Sequence, residues 1–361
     1  MKMLTVLGAR PQFVKGAVLS RELVSCDHGI SETIVHTGQH YDSRMSDIFF
    51  NELGIPKPKY NLDINGGSHG AMTGRMMESL ESVVLEEKPD VLLVYGDTNS
   101  TLAGALVAAK CHIPIAHVEA GLRSFNMNMP EEVNRIITDR LSRFLFCPTE
   151  QAVLNLEAEA VRDGVHNVGD IMYDAALLFG NELTTDDRLL SSLGLVSKNY
   201  VLVTCHRQEN TDDFESLKGI FDALNHIAKS SLVVFPIHPR TNLIAKKAGL
   251  LTSLSSKVKL IEPVSYMDMV SLLKNAEVMI TDSGGVQKEA FFYRVPCITM
   301  REETEWVETV EIGANSLVGA SKERIIASFD EILKGIECDF DQKPYGDGRS
   351  AKYIAEYVGA L

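Results

Sequence analysis

Short apolar runs of strand length alternate with longer helical patterns from one end of the chain to the other. Leu4–Leu7, Thr33–His36, Val91–Tyr95, Ile115–Val118 and Phe144–Cys147 read as strands in the first half. Near-continuous apolarity over four to six residues suits parallel strands covered on both faces. Helical stretches such as Ser43–Leu53, Ala71–Glu87 and Glu131–Arg143 lie between them. The alternation restarts with Tyr200–Thr204, Leu232–Phe235, Val258–Ile261, Val278–Ile280 and Cys297–Met300. Two successive strand–helix arrays imply an α/β protein of two doubly wound domains facing each other across a cleft. The polar stretch Asn181–Lys198 has no clear strand and is the expected junction. The expectation is a first domain over residues 1–180 and a second over 199–345. The tail, 346–361, carries a last helical stretch, Ser350–Leu361, that crosses back onto the first domain.

The 361 residues fit two domains, and 45% hydrophobic content fits a globular chain with a sizeable core. No apolar run approaches the roughly 18 residues of a spanning helix, and Met1-Lys2-Met3-Leu4 opens into a strand instead of a signal peptide. A cytoplasmic protein without a membrane partner is expected. The six cysteines, Cys26, Cys111, Cys147, Cys205, Cys297 and Cys338, form no CxxC pair. They read as reduced thiols, not as a disulfide frame or a metal site. A net charge of −14 argues against a nucleic-acid partner. An anionic ligand then needs local cations and free backbone N–H groups.

Doubly wound sheets bind ligands at the carboxyl ends of their strands. The run Thr281-Asp282-Ser283-Gly284-Gly285-Val286-Gln287-Lys288-Glu289-Ala290 follows a strand and enters a helix. Ser-Gly-Gly at a helix start leaves N–H groups aligned with the positive end of the dipole, which suits phosphate. Glu289 lies about one turn further on, within reach of a ribose. Gly8-Ala9-Arg10-Pro11-Gln12-Phe13-Val14-Lys15 follows the first strand, with Arg10 and Lys15 placed to hold a phosphate from two sides. Thr37-Gly38-Gln39-His40-Tyr41-Asp42 follows the second. Asp97 follows the strand at Val91, Glu119 the strand at Ile115, and Glu131 opens a helix. Each acid has an ordinary explanation: Asp97 as a helix cap, Glu131 as a partner of the helix dipole. Three at the strand-end side of one sheet are better explained by acid–base work, because clustered acids raise each other's pKa.

In the second half, His206 and Arg207 follow the first strand of the restart, and His238-Pro239-Arg240 is a further strand-end group. The single tryptophan, Trp306, reads as packing. No G-x-G-x-x-G follows a strand, which weakens a nicotinamide enzyme, and no G-x-x-x-x-G-K-[ST] is present, which weakens a kinase or ATPase.

Taken together, these motifs resemble the non-hydrolysing UDP-N-acetylglucosamine 2-epimerase family over nearly the whole chain. The residues that carry the resemblance are Gly8-Ala9-Arg10-Pro11, Gly96-Asp97-Thr98, His117–Arg123, Pro130–Arg135, His206-Arg207 and Asp282–Glu289. The resemblance implies two Rossmann-like domains of glycosyltransferase-B type, a cytoplasmic homodimer, and no cofactor or metal. It implies elimination of UDP from a UDP-2-acetamido sugar to a glycal, then re-addition with C2 protonated from the opposite face. Asp97, Glu119 and Glu131 match the family's essential acids and His206 its histidine near the pyrophosphate. Arg10, Ser283 and Gly284 match phosphate contacts and Glu289 the ribose contact. Lys15, Gln39, His40, Arg207, Gly285 and Arg301 complete the expected substrate site. Which acid takes the proton and which returns it stays open.

Departures bear on the substrate. Gln12 stands where a glutamate is usual, and the runs Gly38–Asp42 and Thr304-Glu305-Trp306-Val307-Glu308 are altered. They look more like the branch acting on UDP-2,3-diacetamido-2,3-dideoxy-glucuronate for surface polysaccharide, such as lipopolysaccharide O-antigen. Asp42 replaces an amide of the family's substrate-activation site, which puts that site in doubt. The rivals are a hydrolysing epimerase, a glycosyltransferase sharing the fold and the Ser-Gly-Gly site, and a non-catalytic nucleotide-sugar sensor.

Overall fold

A computed structural model describes residues 1–26, 28–39, 53–183, 188–335 and 338–361. His40, Tyr41 and Asp42 lie outside the described residues, as does the expected helix Ser43–Leu53 apart from Leu53 itself. The chain divides into two compact units, Met1–Ala175 with Lys343–Leu361, and Ala176–Gln342. The division falls inside a helix, Ile171–Glu182, upstream of the polar stretch in which the sequence placed the junction. That stretch holds the end of this helix and a short one, Arg188–Leu193. A helix is as capable of carrying the chain from one unit to the next as a loop, and its amphipathic pattern gives no sign of the change.

The first unit is built on a parallel sheet of seven strands, β1 (Lys2–Leu7), β2 (Ser31–His36), β3 (Tyr60–Asn61), β4 (Val91–Tyr95), β5 (Ile115–Val118), β6 (Phe144–Cys147) and β7 (Val165–Asn167). Their order is β3-β2-β1-β4-β5-β6-β7. The second unit carries β8 (Tyr200–Thr204), β9 (Leu232–Pro236), β10 (Val258–Ile261), β11 (Val278–Thr281), β12 (Cys297–Thr299) and β13 (Asn315–Leu317), in the order β10-β9-β8-β11-β12-β13. In each sheet the order reverses direction beside the unit's first strand, between β1 and β4 and between β8 and β11. Loops leaving the two strands on either side of such a switch diverge and leave a crevice.

Among the strands flanked by neighbours on both sides, β4, β5, β8 and β11 are buried at every residue. In the first unit Leu4, Val6, Leu92 and Val94 pack against Met76, Leu80 and Val83 of helix His69–Glu87 and Ala103 and Val107 of helix Asn99–Lys110. In the second, Val201, Val203 and Phe235 meet Leu217, Phe221 and Leu224 of helix Phe214–Ile227 and Phe329 of helix Lys322–Leu333. The strands that the sequence pattern does not reveal, β3, β7 and β13, lie at sheet edges. They are two or three residues long and partly polar, because an edge strand pairs on one side alone. The last helix, Ser350–Gly359, belongs to the first unit, where the Ala351 N–H donates to Asp174 at 2.8 Å.

Candidate active site

In the first unit the acids converge on the crevice beside β4. Gly96 leaves β4 with φ +62°, and Asp97 follows it. The cap of helix Asn99–Lys110 is Thr98, whose hydroxyl accepts the Thr101 N–H at 3.3 Å, so Asp97 is not needed as a cap. Its carboxylate is ion-paired with Arg135. Burial raises its pKa above the ordinary carboxylate value, Arg135 and Lys15 oppose the rise, and Glu119 and Glu131 add to it. The mutual effect of the acids is therefore present, but burial is the larger cause.

Glu119, directly after β5, has φ +69° and is buried. A non-glycine side chain in the left-handed region is held there by its surroundings at a cost of order 1–3 kcal/mol. Here the side chain is ion-paired with the buried ammonium of Lys15, which comes from helix Arg10–Ser25. Glu131 and Glu132 stand together in the first turn of helix Pro130–Leu141 but have different surroundings. Glu132 accepts the Ser124 N–H and hydroxyl at 2.9 Å, the Phe125 N–H at 3.0 Å and Arg135 at 3.1 Å. Burial opposes ionisation of Glu132, but these donors together hold its pKa below the usual value. Glu131 is half-buried and near enough to Asp97 to influence its ionisation.

A polar frame fixes these turns. His117 is fully buried, with Nε2 2.7 Å from the Gly96 carbonyl and Nδ1 2.7 Å from Asp139. Both partners are acceptors, so both ring nitrogens donate. Asp139 also pairs with Arg123 at 2.7 Å, and Arg123 with Glu159 at 2.6 Å. Gln12 accepts the Gly8 and Ala9 N–H groups at 2.7 and 3.1 Å, and donates to the Tyr95 carbonyl at 2.7 Å. It ties the loop after β1 to the loop after β4. A Cβ on Gly8 would come within 2.4 Å of the Thr37 and Ser100 hydroxyls, so only glycine fits. Gln39 accepts the Ser100 N–H at 3.0 Å and its hydroxyl at 2.7 Å. Arg10 opens helix Arg10–Ser25 and is exposed.

In the second unit the equivalent switch lies between the loops after β8 and β11. Ser283 caps helix Gly284–Phe292 without a side-chain hydrogen bond to it. A Cβ on Gly284 would make ordinary contacts only, and one on Gly285 would meet nothing within 4 Å. The protein itself does not demand glycine at either position; close approach of a ligand to this helix start would. Glu289, in the second turn of that helix, is buried and accepts the Tyr266 hydroxyl at 3.3 Å. Arg301 forms a two-pronged pair with Glu305 at 2.9 and 3.1 Å. Trp306 is buried with the Lys288 ammonium 3.7 Å from its ring centroid, consistent with packing.

His206, 44% exposed at its side chain, follows β8 with Arg207. His238 caps helix Pro239–Lys247, its ring centroid 5.9 Å from that of His206.

The structure thus gathers Lys15, Asp97, Glu119 and Glu131 in one unit, and His206, Arg207, Ser283, Gly284 and Gly285 around the switch of the other. Residues that sequence reasoning left without a role are Arg135, His117 and Asp139, which set the charge and position of the acids, and Asp282, which anchors the loop after β8. Only Arg135 had a visible signal, four residues after Glu131 on the same helix face.

A profile for the family described as UDP-N-acetylglucosamine 2-epimerase matches residues 24–359. A Pseudomonas aeruginosa protein named UDP-2,3-diacetamido-2,3-dideoxy-D-glucuronate 2-epimerase is 52% identical, over the whole of both chains. The crystal structure of the Methanocaldococcus jannaschii UDP-GlcNAc 2-epimerase in complex with UDP-GlcNAc and UDP superposes with a TM-score of 0.89 at 44% identity, covering both chains completely. The Neisseria meningitidis UDP-GlcNAc 2-epimerase bound to UDP-GlcNAc gives 0.90 at 33% identity, again with full coverage. The two parallel-sheet units are those of the glycosyltransferase-B type. Sequence, fold and motif order agree from end to end, and the chain belongs to the UDP-N-acetylglucosamine 2-epimerase family.

Proposed function

We propose that this chain is an isomerase inverting C2 of a UDP-2-acetamido sugar by elimination and re-addition of UDP. The observation that carries the reading is Asp97, held by burial above the usual carboxylate pKa within electrostatic range of Glu119 and Glu131. The C2 proton of the sugar has no adjacent carbonyl, so direct abstraction is prohibitively slow. In the elimination, a carboxylate takes the C2 proton, the electron pair forms the C1–C2 double bond, and the C1–O bond breaks with its electrons leaving on UDP. In the return, the phosphate oxygen bonds C1 and C2 takes a proton on the opposite face. The cycle is redox-neutral, so it needs no oxidant.

Asp97, Glu119 and Glu131 supply the base and the acid; its raised pKa makes Asp97 readier than an ordinary carboxylate to take up a proton. The Lys15 ammonium is ion-paired with Glu119 and balances its charge in the site. His206 meets the leaving phosphate oxygen. Arg10 and the N–H groups at Ser283, Gly284 and Gly285 hold the pyrophosphate, Glu289 the ribose hydroxyls, and Gln39, His40, Arg207 and Arg301 line the substrate site. The protein acts as a homodimer in the cytoplasm, where nucleotide sugars are supplied to polysaccharide assembly. Among the described residues no helix is long and apolar enough to cross a membrane.

The substrate is UDP-2,3-diacetamido-2,3-dideoxy-glucuronate in preference to UDP-N-acetylglucosamine. The altered Gly38–Asp42 and Thr304–Glu308 runs support this, as does the 52% identity to a relative named for that substrate. Steady-state assays with both UDP-sugars test it: faster turnover of the diacetamido-uronate is expected, and turnover of UDP-N-acetylglucosamine alone would overturn the preference.

A further inference from the structure

We propose that Asp282 is a positioning residue for His206, fixing the imidazole so that Nδ1 carries the proton and Nε2 faces the leaving group. The proposal deepens the epimerase reading and rests on it for the role of His206. Asp282 directly follows β11, has no exposed surface, and lies across the switch from the loop after β8. Its Oδ2 accepts the His206 N–H at 2.9 Å, the Arg207 N–H at 2.9 Å and the Asn210 amide at 3.2 Å. Its Oδ1 lies 3.2 Å from the His206 N–H and 3.4 Å from His206 Nδ1.

A buried carboxylate needs donors or a cation. Among the described residues no Lys or Arg side chain is ion-paired with Asp282; its ionisable neighbours are His206 and the Cys205 thiol, whose pKa burial and then Asp282 push up. The carboxylate accepts only, so a proton between Oδ1 and Nδ1 belongs to the imidazole. At 3.4 Å this ionic contact favours the tautomer with its proton on Nδ1, the nitrogen facing the carboxylate, and leaves Nε2 as the other edge of the ring. The loop cannot drift from this arrangement easily. The Asn210 amide also donates to the Met300 carbonyl at 3.1 Å, and Thr241 donates to the Cys205 carbonyl at 2.6 Å. Among the described residues, the other titratable groups around this pair include the Cys205 thiol against Asp282, and His238 with Arg240 beyond it, itself paired with Asp212.

Asp282→Asn is the informative variant. Its carbonyl oxygen can stay where three N–H donors meet, which directs its NH2 group at His206 Nδ1 and forces the opposite tautomer. The loop contacts are largely kept. The experiment combines histidine-selective 15N NMR, with His206 assigned from a His206→Asn sample, and steady-state kinetics on the full chain. In the wild type, neutral His206 should carry its proton on Nδ1, free and with UDP bound. In Asp282→Asn it should carry it on Nε2, with kcat lower by about 10²–10⁴-fold, the range for a general acid or base held in the wrong tautomer. UDP affinity should change by less than about threefold, because a group misdirected only during reaction costs kcat and not binding. A wild-type Nδ1 without a proton overturns the proposal, even if the variant fails to fold. So does an unchanged tautomer or an undiminished kcat in Asp282→Asn. Absence of C2 inversion by the wild type would instead overturn the epimerase reading, which the tautomer measurement does not depend on.

Discussion

His117 joins the two acid-bearing turns of the first unit: its Nε2 donates to the Gly96 carbonyl at 2.7 Å, one residue before Asp97, while its own strand ends one residue before Glu119. The opposite nitrogen is held by Asp139, which Arg123 also grips. Burial disfavours the ionised Asp139, but the His117 hydrogen bond and charge, with Arg123, bring its pKa below the ordinary value. Stability from such a carboxylate is full above its unfolded pKa and is lost as pH falls through the lower, folded one. Replacing His117 with Gln should cost about 3–5 kcal/mol near neutral pH by leaving Asp139 short of a buried partner. Urea unfolding checks this. The deficit should shrink on the acid side, as Asp139 takes up its proton.

Asp97 should behave in the opposite way. Burial lifts its pKa, so folded Asp97 takes up a proton more readily than unfolded, and its ionised form costs stability at neutral pH. Asp97→Asn removes that cost and leaves Arg135 its second partner, Glu132, at 3.1 Å. Thermal unfolding at neutral pH should show an unchanged or higher Tm, while turnover falls by about 10²–10⁴-fold. The stability gain should fade as pH falls through the folded pKa of Asp97. A large drop in Tm would mark Asp97 as structural.

Glu131 and Glu132 form an internal control. Glu132→Ala removes the acceptor for two backbone N–H groups, the Ser124 hydroxyl and Arg135, and should destabilise the unit by about 1–3 kcal/mol. Glu131→Ala should change Tm by little and abolish turnover. Measuring Tm and kcat for both variants separates the two roles, and reversed phenotypes would exchange them.

Glu119→Gln should abolish turnover, and it should also destabilise. The amide still offers an oxygen to Lys15, but the buried ammonium loses its counter-charge. A cost of about 1–3 kcal/mol is expected, and Lys15→Met in the same background should recover part of it. Additive losses in the double variant would show that the two side chains do not act as a pair.

Much of this organisation is legible in the sequence because it follows from burial. Strands in the middle of a parallel sheet are apolar on both faces, so Val91–Tyr95 and Tyr200–Thr204 announce themselves, and the loops after them contain Asp97 and His206. Edge strands such as Asn315–Leu317 do not, since half of their surface needs no apolar cover. The loops are also where polar residues stand out. A single sequence shows that Glu131 and Glu132 are adjacent, but not that Glu132 is held by several donors while Glu131, among the described residues, has no hydrogen-bond donor on its carboxylate. The partners that decide this, Ser124, Phe125 and Arg135, are brought together only by the fold. Asp282 is hidden for the same reason: its three donors lie more than seventy residues away along the chain.

The most direct test of the central claim is proton NMR of a UDP-2-acetamido sugar incubated with the enzyme in deuterated water, with no acceptor present. Elimination and re-addition through the acids of the first unit predict deuterium at C2 in step with the appearance of the manno epimer, and loss of both signals in Asp97→Asn. Retention of the C2 proton and configuration with every candidate UDP-sugar would contradict it.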